Sequence, residues 1–127
     1  MAERKRVERP LSPHLQIYRI QLTSFTSILT RITGNGLILG TVLAVWWLLA
    51  AATSPEKFAL ADCVVTSWFG DLVFTLSAWA LWYHYLAGLR HLYFDAGHGL
   101  EVPTAEKLGW GMIFGSVLLS VITIMIV

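Results

Sequence analysis

Residues 32–52 read ITGNGLILGTVLAVWWLLAAA, 21 positions without a charged side chain. A helix rises about 1.5 Å per residue, so this run covers the roughly 30 Å of a bilayer's hydrocarbon layer. It predicts a membrane-spanning helix, extended upstream by polar helix to about Thr23. Ser54, Pro55 and Glu56 then interrupt it in a short loop. Two further stretches follow. Residues 72–89 contain no Asp, Glu, Lys or Arg, with Asp62 and Asp71 before them and Arg90 after. They predict a second helix over 61–93, with Asp71 either at the interface or buried against a partner. Residues 108–127 are uncharged throughout and predict a third span.

The connection at 95–107 is polar and carries Gly97, Gly99 and Pro103. Thr104 followed by Lys107 suggests a helix cap there without the full capping box. Glu106 suits a helix N-terminus electrostatically. Residues 1–21 read as an extended basic arm with Pro10 and Pro13, the latter disfavouring helix at Ser12. Tyr18 suits an interfacial ring. The expected fold is therefore an all-α integral membrane protein, with three transmembrane helices over 22–127 behind the 1–21 arm.

Composition demands the same solvent. The chain is 56% hydrophobic and 13% charged, where a soluble domain carries about 25% charged residues. Too little polar side chain exists to cover a soluble surface, so lipid must take the apolar excess. Arg4, Lys5, Arg6, Arg9, Arg19 and Arg31 outweigh Glu3 and Glu8, whereas residues 32–127 are net negative. A basic flank before a long apolar run marks the cytoplasmic side and argues against nucleic-acid binding. The N-terminus is then expected in the cytoplasm, 53–60 outside, 95–107 inside, and Val127 in the periplasm. A signal peptide is not expected. The polar leader is long, the apolar run exceeds a signal core, and no small-x-small cleavage site follows within reach, although 38–49 imitates such a core. Without a transit-like leader, a bacterial inner membrane is the expected location. The single cysteine, Cys63, makes no internal disulfide or metal cluster and reads as a small apolar residue.

Gly36 with Gly40, and Gly111 with Gly115, form two G-x-x-x-G pairs that permit close helix approach. Trp46, Trp47 and Trp110 suit interfacial belts. Trp79 and Trp82 lie deeper and suit helix packing or the flank of a cofactor.

His84, Gly88, His91 and Asp95 follow one another at steps of four, three and four, which puts them on one broad face of the second helix. Gly88 leaves room there for a flat prosthetic group or for a neighbouring helix. His84 lies roughly 15 Å along the helix from the inner boundary. Its imidazole can ligate haem iron through one nitrogen while the other makes a supporting hydrogen bond. A histidine bonded to another helix explains the position equally. His91, two turns nearer the boundary, suits a haem propionate, a lipid phosphate, a quinone pocket or a plain polar anchor. Arg90 points away from His91 and can face headgroups. His14 and His98 read as facing solvent or a partner. Ser27 and Arg31, at i and i+4, can reach one pocket at the inner end of the first helix. A serine donor and an arginine suit a quinone oxygen that gains negative charge on reduction. Serine bonded to its own backbone and arginine snorkelling to phosphate are the plain alternatives. Ser24 and Thr30 can support either arrangement.

The ordered segments RPLSPHLQIYR (9–19), SILTRITG (27–34) and HYLAGLRHLYFDAGHG (84–99) resemble the cytochrome b membrane-anchor family of succinate dehydrogenase. The resemblance covers almost the whole chain. It implies a three-helix anchor that pairs with a second small membrane anchor and docks an iron–sulfur subunit and a flavoprotein subunit. FAD and iron–sulfur clusters are then expected only in those partners, and membrane lipids surround the anchor. The resemblance further implies a haem b shared between the two anchors and ubiquinone as the electron acceptor. His84 matches the axial haem ligand, with the second axial histidine on the other anchor. Arg90 and His91 match positions associated with the haem propionates. Ser27 and Arg31 match the quinone pocket. Thr30 departs from the pattern, because many relatives carry histidine there, and a threonine cannot supply the same proton relay. A purely structural adaptor, or the anchor of a fumarate-reducing relative, are the competing expectations. A transporter fits less well, because three helices leave little room for an alternating pathway.

Overall fold

The computed structural model describes residues 19–126, so most of the basic arm, including Pro10, Pro13, His14 and Tyr18, lies outside the described residues. Four helices follow in order: α1 (Leu22–Thr53), α2 (Pro55–Val65), α3 (Trp68–Asp95) and α4 (Val102–Ile126). Three of them, α1, α3 and α4, are long and apolar enough to cross a membrane. The chain is an all-α membrane protein with three spans. At 32 residues α1 is about 48 Å long, so its polar first turns project beyond the hydrocarbon layer.

The helix ends follow from local chemistry. Ser54 sits in extended backbone (φ −163°, ψ 152°) between two helices. Its N–H closes α1 on the Ala50 carbonyl, and its hydroxyl accepts from the Lys57 N–H to cap α2. Pro55 occupies the first position of α2, where its missing N–H costs no helical bond. Asp62 on α2 accepts from the Trp47 indole at 3.0 Å, and Phe58 packs on the same ring at 5.5 Å. These contacts hold the short helix against the C-terminal end of α1.

The expected single helix over 61–93 is broken at Thr66 and Ser67. Thr66 N–H ends α2 on Asp62, and the Ser67 hydroxyl caps α3 by accepting from the Gly70 N–H. A Cβ at Gly70 would overlap the Val65 carbonyl, so this corner needs glycine. Asp71 lies exposed in the first turn of α3, the helix end that favours a negative charge.

At the other end, α3 closes in a Schellman motif. His98 N–H reaches the Tyr93 carbonyl, and Gly97 N–H reaches that of Phe94, with Gly97 at φ +79°. The connection is shorter than the expected 95–107. Helix α4 begins at Val102, with the Glu101 carbonyl accepting from Ala105 N–H. Pro103 fits inside that first turn, whose N–H groups have no helical partner. Thr104 is therefore within the helix rather than its cap.

Helix α3 is the centre of the bundle, packed against both α1 and α4. Tyr83, Ala87 and Met112 form the buried core, flanked by Leu29, Trp79, Leu86 and Ile113. Small polar residues fill the remaining interfaces: Thr26, Thr33, Ser116 and Ser120 are buried. Each bonds a carbonyl of its own helix, which satisfies the hydroxyl without water. Gly40 lets α1 approach Ser77, and Gly115 meets Leu86. Their partners Gly36 and Gly111 face open space, so neither glycine pair works as a unit inside this chain. Large apolar side chains such as Leu39, Leu76, Phe114 and Leu118 remain exposed on all three long helices. Those faces require lipid or other subunits.

Candidate functional site

His84, Gly88, His91 and Asp95 are all exposed, and they form one open stripe along α3. Among the described residues no helix covers it. Only the edge of the stripe at His84 is anchored, and it is anchored to α1. The His84 Nδ1 lies 3.2 Å from the Thr30 carbonyl oxygen. A carbonyl only accepts, so this contact selects the tautomer protonated at Nδ1. The Nε2 lone pair is left without a hydrogen-bond partner among the described residues.

Gly34 makes that geometry possible. A Cβ there would stand 3.0 Å from His84 Cε1 and 3.4 Å from Nδ1. The imidazole lies where any larger residue would place its side chain. On α3 itself, a Cβ at Gly88 would meet nothing within 4 Å, so the surface one turn beyond His84 is bare. Sequence reasoning noted Gly88 but missed Gly34. It considered only the side chain of Thr30. The Thr30 hydroxyl donates to the Thr26 carbonyl at 2.8 Å, and its backbone oxygen serves His84. A backbone contact does not depend on having histidine at position 30.

Ser27 and Arg31 are exposed on α1, one turn apart. At 3.6 residues per turn, Ser27, Thr30, Arg31 and Gly34 fall within a ~100° arc. The arc that seats His84 is thus continuous with the two polar side chains nearer the basic end. His91 is exposed on α3 and touches the Phe94 ring edge-on at 6.5 Å.

Arg90 goes elsewhere. Six residues from His84, it lies about 120° around the helix. Its Nη1 donates to the Thr26 hydroxyl at 3.2 Å and its Nη2 to the Ala105 carbonyl at 2.9 Å. The guanidinium lies 4.8 Å from the centre of the Phe94 ring. The structure does not bring Arg90 to the face that carries His84 and His91. It joins α1, α3 and α4 instead. Thr26 is the shared point, because its carbonyl also accepts from the buried Tyr83 hydroxyl at 3.0 Å. The signal for this hub was present as threonines at 23, 26, 30 and 33, a polar stripe of helical spacing inside an apolar span.

Residues 5–123 match the family described as succinate dehydrogenase/fumarate reductase transmembrane subunit. The chain belongs to this family. It is 58% identical to the succinate dehydrogenase cytochrome b556 subunit of Paracoccus denitrificans, over 99% of this chain and 97% of that protein. It is 36% identical to the protein of the same name in Rickettsia conorii, over 91% and 90%. It is also 36% identical to the cytochrome b560 subunit of Reclinomonas americana, over 84% and 78%. The resemblance read from segments 9–19, 27–34 and 84–99 is therefore one of family membership. As a transmembrane subunit of this family, the chain brings its membrane spans to an oxidoreductase complex.

The residues at the open stripe fit a haem. The His84 imidazole is in the tautomer that leaves Nε2 free to ligate, beside a glycine that keeps a flat surface clear. No group of three or more His, Cys, Asp or Glu side chains that could hold a metal ion forms among the described residues.

Proposed function

We propose that this chain is the haem b-binding membrane anchor of a succinate:ubiquinone oxidoreductase and that it helps pass electrons from the iron–sulfur subunit to ubiquinone. The observation that carries the reading is His84, an exposed side chain whose Nδ1 is held by the Thr30 carbonyl and whose Nε2 has no hydrogen-bond partner among the described residues. Haem, when bound, supplies a one-electron store between the iron–sulfur centres and the quinone. The hydrogen bond to Thr30 fixes the ring's orientation and raises the basicity of the ligating nitrogen. A second small anchor would cover the stripe and supply the other histidine ligand. His91, two turns toward the basic end, suits a propionate. Arg90 reaches a propionate only by releasing Thr26 and Ala105. In its present position it braces the three spans.

Ser27 and Arg31 form this chain's share of the quinone pocket. Serine donates a hydrogen bond to a ring carbonyl, and arginine favours the negative charge that develops there. Thr30 has no ionisable side chain, so protons come through water or partner groups. The flavoprotein and iron–sulfur subunits dock on the basic, cytoplasmic side, and the C-terminus is periplasmic. The family description also spans fumarate reductases, which makes a fumarate-reducing assembly the second reading.

The test is His84→Ala in the intact complex. Loss or displacement of the b-type absorption and paramagnetic signals is expected. Unchanged spectra and haem content would reject the ligand assignment and favour a purely structural anchor.

A further inference from the structure

Between α3 and α4, near the basic end, lies an open cavity of about 300 Å³. Its deeper wall is apolar, formed by Leu86, Leu89 and Met112, and Gly111 contributes no side chain to it. Two cations line the same groove, Arg90 and Lys107. Arg90 stands five residues before the end of α3, and Lys107 stands five residues after the start of α4. Both therefore lie about 7–8 Å inside the helix ends, at one level.

Neither charge is compensated among the described residues. Arg90 bonds only neutral acceptors, and its Nε is buried with no partner. Lys107 is exposed and forms no ion pair there. A partly buried cation held by neutral groups alone favours an anion nearby, because attraction strengthens as the local dielectric falls. The groove is amphipathic in the matching sense, with positive charge at the level of headgroups and bare apolar surface below.

We infer that this groove holds one anionic glycerophospholipid of the cytoplasmic leaflet. Its phosphate sits at Lys107, in the field of Arg90, and one acyl chain runs over Gly111 between Leu86, Leu89 and Met112. Basic pockets between membrane helices on the cytoplasmic side recognise lipids in this way. A zwitterionic lipid neutralises its own phosphate and gains less from the two cations. A quinone's isoprenoid tail fills the groove but answers no charge. The inference is independent of the haem and quinone assignments, because the groove lies on the other side of α3 from His84.

The native complex, purified with its partner subunits, is exchanged into nanodiscs of phosphatidylglycerol mixed with phosphatidylcholine. Retained lipid is then counted by native mass spectrometry. Preferential retention of one phosphatidylglycerol is expected. Lys107→Gln should reduce that preference about fivefold, as removal of one interfacial cation implies. Gly111→Phe fills the groove and should displace the lipid altogether. Gly111 faces open space, so the larger side chain has room within this chain. Equal retention of the two lipids, recovery of a neutral isoprenoid in place of the lipid, or an undiminished preference in Lys107→Gln would each overturn the inference.

Discussion

His84, the proposed haem ligand, shows how little of such a site one residue carries alone. Its useful nitrogen is defined by two groups on α1, a backbone carbonyl and the absence of a side chain. Gly34→Ala is therefore expected to push the ring by a few tenths of an ångström and weaken the 3.2 Å contact with Thr30. Haem retention should fall about tenfold or more, the range seen when supporting partners of metal ligands are lost. A displaced paramagnetic signal should accompany that fall. Gly36→Ala is the control, because its Cβ meets nothing within 4 Å. Identical spectra for the two variants would remove Gly34 from the site. Arg31→Ala addresses the proposed quinone pocket. It should depress quinone turnover while leaving succinate oxidation by an artificial acceptor intact. Retained quinone turnover and affinity would exclude Arg31. The sequence identified Ser27, Arg31, His84 and His91 as candidates because polar residues inside or beside apolar runs stand out. It did not identify Gly34, because a glycine's value lies in what another helix puts next to it.

Among the elements, the corner between α2 and α3 is the clearest departure from expectation. No proline breaks residues 61–93, and only Asp62 and Asp71 interrupt the apolar character before the uncharged run at 72–89. The break comes from Ser67 capping a new helix and from Gly70 admitting the Val65 carbonyl. These are local signals of ordinary residue types, and a hydropathy window averages them away. Gly70→Ala sets a methyl against a backbone oxygen that cannot rotate aside. A loss of about 1–3 kcal/mol is expected, as for other overpacked sites. The readout is a lower thermal midpoint of the detergent-solubilised complex. An unchanged midpoint would mean that the corner relaxes freely. At the far end of α3, Gly97 was visible as a loop residue, and the structure shows that its left-handed conformation closes the helix.

For the whole molecule, three spans place the two ends of α3 on opposite sides of the membrane. Cys63 is exposed on α2, at the end away from the basic arm. An impermeant maleimide added to intact cells should label Cys63. In a Cys63→Ser background, a His98→Cys variant should react only after the membrane is permeabilised. The reverse pattern would invert the proposed orientation, and labelling from one side would remove the crossing between them. The exposed apolar surface on every long helix also explains why a short chain needs company. Among the described residues nothing covers the face carrying His84, Gly88, His91 and Asp95.

The number of spans, the existence of each long helix and the chemical candidates follow from the amino-acid order alone. Lipid imposes a length and polarity rule that a single strand of sequence must satisfy residue by residue. Which candidates meet is a different matter. Arg90 and His91 are neighbours in the chain, yet one faces Thr26 and Ala105 and the other faces outward. That divergence, the seat of His84 on Gly34, and the cation-lined groove all depend on how α1, α3 and α4 pack. Pairings between helices arise from shape and hydrogen bonding at distances of tens of residues, and no one-dimensional pattern records them.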